Sequence, residues 1–74
     1  MKSTVINILK DDDEFQLNSN IVPSIGSEIQ VWKNHKLQIK GIVKLIDYSY
    51  EIISDGLNTI DTTYVFVQLE DLVV

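Results

Sequence analysis

The run Asp11-Asp12-Asp13-Glu14 is the first stretch whose residue types could do chemistry, and that chemistry would be calcium binding. An EF-hand loop needs a third oxygen ligand where Phe15 stands and a glycine after it, and neither is present. Adjacent carboxylates repel one another and stay in water, so the run reads as a solvated turn. His35 is the single histidine, lying between Lys33 and Lys36 in a chain without cysteine. One imidazole with no thiol and no neighbouring carboxylate makes neither a zinc site nor a catalytic triad. Ser49, Ser54, Thr62 and Thr63 carry hydroxyls, but none has a base at a recognisable spacing. The three glycines are isolated, so no phosphate-cradling loop occurs. The residues therefore predict a protein that is not an enzyme, with no cofactor, no metal and no evident small-molecule substrate.

Binding chemistry is better represented. Trp32, Tyr48, Tyr50, Tyr64 and Phe66 are more aromatic side chains than so small a core can take in. Core filling accounts for about three, and the others are free for an interface, where amphipathic aromatics are enriched. Trp32 and Tyr48 are the candidates for a contact face. Lys36, Lys40 and Lys44, with Lys33, form a stripe beside Trp32. Such a stripe can track a nucleic-acid backbone while an aromatic stacks on bases. It can equally be the solvated outer face of a strand, where lysine blunts edge-to-edge association.

The elements that must position these residues are strands. Ser3 to Leu9 alternates, with Val5, Asn7 and Leu9 on one face and Thr4, Ile6 and Ile8 on the other. Phe15 and Leu17 restart pairing after the acids, making a hairpin, and Asn18-Ser19-Asn20 is a turn. Pro23 belongs in a loop or at an edge because it cannot donate to a ladder. Glu28 to Lys33 is the next strand, with Ile29 and Val31 inward, and Asn34-His35 is a tight turn. A long strand runs from Lys36 to Ile53, with Leu37, Ile39, Val43 and Leu45 sharing a face. The lysines at i, i+4 spacing would also suit a helix. Gly41, the β-branched content and the lack of alanine favour strand. The large side chains change parity at Tyr48, so a bulge is predicted near Ile46-Asp47. Asp55-Gly56 punctuates a turn, Ile60 to Glu70 is the last long strand, and Asp71 to Val74 is a tail that could pair at an edge.

Seventy-four residues allow one domain, 1–74, with a small core. The apolar fraction of 45 % and charged fraction of 23 % suit a folded soluble domain. The absence of cysteine excludes a disulfide scaffold and points to the cytoplasm. No segment approaches the roughly 20 apolar residues of a membrane span, and the apolar patch near the N-terminus is too short for a signal-peptide core. A net charge of −5 opposes non-specific attraction to nucleic acid and to anionic membranes. Alanine and arginine are missing while Ile, Val, Asn and Lys are plentiful, a pattern that A/T-rich codons of some bacteria and their phages would produce.

Ile25-Gly26-Ser27-Glu28-Ile29-Gln30-Val31 and Lys40-Gly41-Ile42-Val43-Lys44-Leu45-Ile46 resemble small SH3-like barrels, in particular the KOW-type domains of ribosomal and transcription-elongation proteins. The family's acid directly after the glycine is Ser27 here, with Glu28 one place later. The Pro-x-x-Gly-x-x-Ile pattern at Pro23 is also similar to small proteins of bacterial and prophage genomes. The expected fold is all-β, a small SH3-like barrel or a rolled antiparallel sheet of five to six strands. The expected function is a non-catalytic protein–protein interaction module, working with a protein partner or as a homodimer. Two alternatives stand beside it. One is a nucleic-acid-binding domain, the role that the resemblance implies, with the stripe of Lys36, Lys40 and Lys44 read from the residues as its contact. The acid run would suit a phage or mobile-element inhibitor in which Asp11, Asp12, Asp13 and Glu14 mimic a phosphate backbone.

Overall fold

A computed structural model describes residues 2–72, and its regular structure is entirely strand. The strands are β1 (Lys2–Lys10), β2 (Asp13–Asn18), β3 (Glu28–Lys33), β4 (Lys36–Asp55) and β5 (Asn58–Glu70). They form one sheet in the order β2-β1-β5-β4-β3. The protein is all-β, and the helix that the lysine spacing allowed between 36 and 46 is strand.

Two features depart from the expected architecture. The sheet does not close, because β2 and β3 stand at opposite ends of the order. It is rolled nonetheless: Phe15 of β2 and Val31 of β3 pack into the same apolar cluster. The sheet is also mixed rather than wholly antiparallel. Three junctions are antiparallel, but β1 and β5 run parallel, with Ile6 beside Val65 and Ile8 beside Val67. A parallel pair needs a long crossover, and everything between β1 and β5 serves as that connection. The last strand thereby becomes the centre of the sheet.

The alternation of the sequence decides the core. Cross-strand partners share a face, so the register carries Ile6 and Ile8 of β1, Val65, Val67 and Leu69 of β5, Ile39 and Val43 of β4 and Val31 of β3 to the inner face. All eight are buried, and Phe15, Val22, Ile29 and Ile46 pack against them. Asn7 is buried on the outer face, 4 % exposed, with Gln16 Nε2 donating to its Oδ1 at 3.5 Å.

Two irregularities in β4 set which side chains are left outside. The predicted bulge lies between Val43 and Leu45, earlier than Ile46-Asp47. Lys44 is the extra residue, so Leu45 turns outward opposite Gln68 and Ile46 turns inward opposite Val67. A second shift opposite Val31 and Trp32 sets Leu37 beside Trp32 rather than on the face of Ile39. Leu37 and Leu45, expected on the buried face, are therefore exposed. Between the two bulges, Gly41 lets β4 approach the end of β5: a Cβ there would lie 2.5 Å from the carbonyl oxygen of Glu70. Asp71 and Leu72 are not part of a strand, and Val73 and Val74 lie outside the described residues.

Candidate interaction site

The Pro23–Ser27 loop fixes where the site begins. Ser27 N–H donates to the Ser24 carbonyl at 3.1 Å, closing a turn whose third residue, Gly26, has φ +92°. That is the arrangement of a type II turn, which favours glycine at this place. The loop is then bonded to β4, since Gly26 N–H donates to the Val43 carbonyl at 2.8 Å and Val43 N–H to the Ser27 carbonyl at 2.9 Å. Val43 is thus the last residue of β4 with a partner on that side among the described residues. From Lys44 to Asp55 that edge of the strand is open, while the other edge pairs continuously with β5.

The open edge belongs to an arm. β4 and β5 run together as far as Asp55 and Asn58, closed by Gly56-Leu57. Only Gly56 has positive φ, +59°, the pattern of a type II′ hairpin turn. Among the described residues, pairing with β1 reaches Lys2 opposite Asp61, and beyond it the end of the arm is described as two strands. The arm explains the molecule's dimensions. A radius of gyration of 14.4 Å and extents of 53 × 26 × 21 Å describe an elongated shape. A compact chain of this length would have a radius of about 11 Å.

The arm is apolar as well as long. Seven of the twelve large hydrophobic residues exposed among the described residues lie between positions 45 and 60. Tyr48, Tyr50 and Ile52 continue the inner face past the core, opposite Val65, Thr63 and Asp61. The two tyrosine rings stack in parallel, 6.5 Å between centroids and 9° between planes. Tyr50 is 72 % exposed and Ile52 70 %, and Leu57 at the tip is fully exposed. Ile53 and Ile60 face each other on the outer side. A shallow depression of about 390 Å³ at the arm's base is lined by Thr4, Tyr50, Ile52, Asp61 and Thr63 among others.

The residues singled out in the sequence are not all brought together. Tyr48 lies on the inner face of the arm, opposite Val65. Trp32 lies on the outer side at the far end of β3, where its Nε1 donates to Gln30 Oε1 at 3.1 Å. One flat contact cannot use both. Lys36, Lys40 and Lys44 are exposed along β4, and Lys40 is opposite Gln30 on the face of Trp32. The expected stripe is not formed: the shift that turns Leu37 to the face of Trp32 leaves Lys36, opposite Lys33, on the other face, Lys44 sits in the bulge, and in the row beyond Lys40 Ile42 is flanked by Glu28 and Glu70. The four acids are exposed around the β1–β2 turn, where Lys10 Nζ meets Asp71 Oδ1 at 2.9 Å. His35 is an exposed turn residue. No group of three or more His, Cys, Asp or Glu able to hold a metal occurs among the described residues, and no helix is long and apolar enough to cross a membrane. Tyr50 and Ile52 were legible as part of the large-side-chain alternation. Their place on a projecting arm was not, because it depends on how far β1 and β3 extend along their neighbours.

Compared with protein-family models, curated proteins and solved structures, the chain matches none. The SH3-like and KOW-type resemblance of residues 25–31 and 40–46 finds no support there.

Proposed function

We propose that the protein is a non-catalytic, cytoplasmic interaction module that engages protein through the β4–β5 arm. One observation carries this reading: the largest concentration of exposed apolar side chains coincides with an open strand edge. Unpaired edges are templates for another strand, and monomeric proteins protect them with prolines, inward charges or bulges. From Leu45 to Asp55 the edge strand β4 itself has none of these on its inner face, where Ile46, Tyr48, Tyr50 and Ile52 follow one another. Strand addition supplies main-chain hydrogen bonds, and the alternate side chains supply selectivity.

The test is capture on immobilised protein, comparing the natural chain with Tyr48→Ser/Tyr50→Ser and with Lys40→Gln/Lys44→Gln. Loss of bound protein, whether the same chain or another, in the tyrosine variant alone supports the reading. Salt-sensitive retention of RNA, lost in the lysine variant and unchanged in the tyrosine variant, replaces it with the nucleic-acid alternative. Capture of a nucleic-acid-binding protein, abolished by neutralising Asp11 to Glu14, replaces it with the mimicry alternative.

A further inference from the structure

The open edge has a beginning, an end and a face, and together they select its occupant. Resting on the arm as the interaction site, we propose that the arm pairs antiparallel with the arm of a second copy, about a two-fold axis through Tyr50.

The first constraint is symmetry. Identical strands paired antiparallel about a two-fold axis keep the same face of both sheets on one side, so each residue meets one of its own parity. The axis must therefore pass through a residue and not between two. The second constraint is length. The edge is blocked at Val43, where the Gly26 and Ser27 backbone occupies the hydrogen-bonding positions, and it ends at the Gly56-Leu57 turn. The free run is Lys44 to Asp55, whose midpoint falls between Ser49 and Tyr50.

Only nearby centres use the whole run, and they are not equivalent. A centre at Ser49 pushes Asp55 of one copy against the occupied Val43 of the other. It also sets Asp47 directly opposite Glu51, twice. A centre at Glu51 sets that carboxylate against itself. A centre at Tyr50 avoids all of these. Tyr50 then lies opposite Tyr50, and Tyr48 opposite Ile52 in both directions, giving six adjoining apolar side chains on one face. On the other face each acid meets a neutral residue: Asp47 meets Ile53, Glu51 meets Ser49 and Asp55 meets Leu45. The register also brings the Gly56-Leu57 turn of each copy up to the loop that bears the other's Ile25, itself 67 % exposed. The two bodies end up at opposite ends of the paired arms, so neither obstructs the other.

The chain has no cysteine, so single-cysteine variants read the register directly. Sedimentation of the full chain should show a dimer, and Tyr50→Lys should give a monomer with an unchanged strand spectrum. Trp32→Ala, remote from the axis, should leave the dimer intact. Under mild oxidation Tyr50→Cys should cross-link at least tenfold faster than Ser49→Cys or Glu51→Cys. A natural chain that stays monomeric at its solubility limit overturns the inference. So does fastest cross-linking at Ser49 or Glu51, or a dimer indifferent to Tyr50→Lys. If the chain is monomeric but the tyrosine-dependent capture of a different protein persists, the second copy is excluded while the arm remains the interaction site.

Discussion

Gly41 is the residue with the least latitude in the fold. Its missing side chain is what allows β4 to lie against the Glu70 carbonyl and the Leu69 side chain, both of which belong to a packed strand. Gly41→Ala should cost about 1–3 kcal/mol, the usual penalty for overpacking a filled site, read as a lower urea midpoint with an unchanged slope. His35 offers the opposite case. Asn34 and His35 have φ of 52° and 64°, both left-handed, the pattern of a type I′ hairpin turn that prefers Asn-Gly. A β-carbon in that region costs roughly 1–2 kcal/mol, and glycine's extra unfolded-state freedom returns part of it. His35→Gly should thus stabilise the protein by about 0.5 kcal/mol in the same denaturation assay. Lys10 needs a sign more than a size. The Asp71 carboxylate bonded to it holds its ammonium above the ordinary lysine value, opposed by partial burial and aided by Asp11 and Asp13. Any stability from that pair is complete below the unfolded pKa and is lost only as pH rises through the folded one. Raising the pH from neutrality towards 9 should therefore leave Lys10 without effect on the unfolding midpoint.

At the level of elements, body and arm differ in what holds them. Among the described residues the body has all eight buried apolar side chains, and residues 47–60 contribute none. Removing Ile52 to Asp61 and joining Glu51 to Thr62 through Asn-Gly should leave the body folded. Its unfolding free energy should change by less than about 1 kcal/mol, since one two-residue hairpin turn replaces another and no core contact is lost. The same deletion should abolish self-association, measured by sedimentation. A shortened chain that fails to fold would mean that the arm supports β1 and β5 through contacts beyond the core. The bulge at Lys44 belongs to this scale as well. It reverses the parity of β4 at the point where the strand leaves the body, so that Ile46 finishes the core and Tyr48, Tyr50 and Ile52 extend its face outward.

For the whole molecule, charge separates the functional readings. Each chain carries −5, so two copies repel at long range, and screening should strengthen their pairing. The dimer dissociation constant should fall as salt is raised from low ionic strength to above physiological. Binding to nucleic acid through Lys36, Lys40 and Lys44 would weaken over the same range. A sedimentation series at several salt concentrations distinguishes the two without any mutation. The elongated shape gives the pairing its reach: the arm projects from the body, so two bodies can be joined without meeting.

What the sequence determined by itself is local. The period-2 alternation of Ile6 and Ile8, of Ile29 and Val31, and of Val65, Val67 and Leu69 sorts those side chains by face whatever their neighbours are, because successive residues of a strand point to opposite sides. Asn34-His35 and Asp55-Gly56 mark their turns for the equally local reason that few residues tolerate left-handed φ. The tertiary structure decided which strand lies beside which, and so everything that depends on register. It set β5 parallel to β1, left the sheet open, and moved the bulge to Lys44, sending Leu45 outward although its sequence parity matched Val43. It also put Trp32 and Tyr48 on different faces. Register is fixed by partners remote in the chain, and no residue's own preference contains it. The arm follows from the same cause: Lys36 to Ile53 read as one strand, but only how far β1 and β3 extend along their neighbours decides how much of β4 stands uncovered.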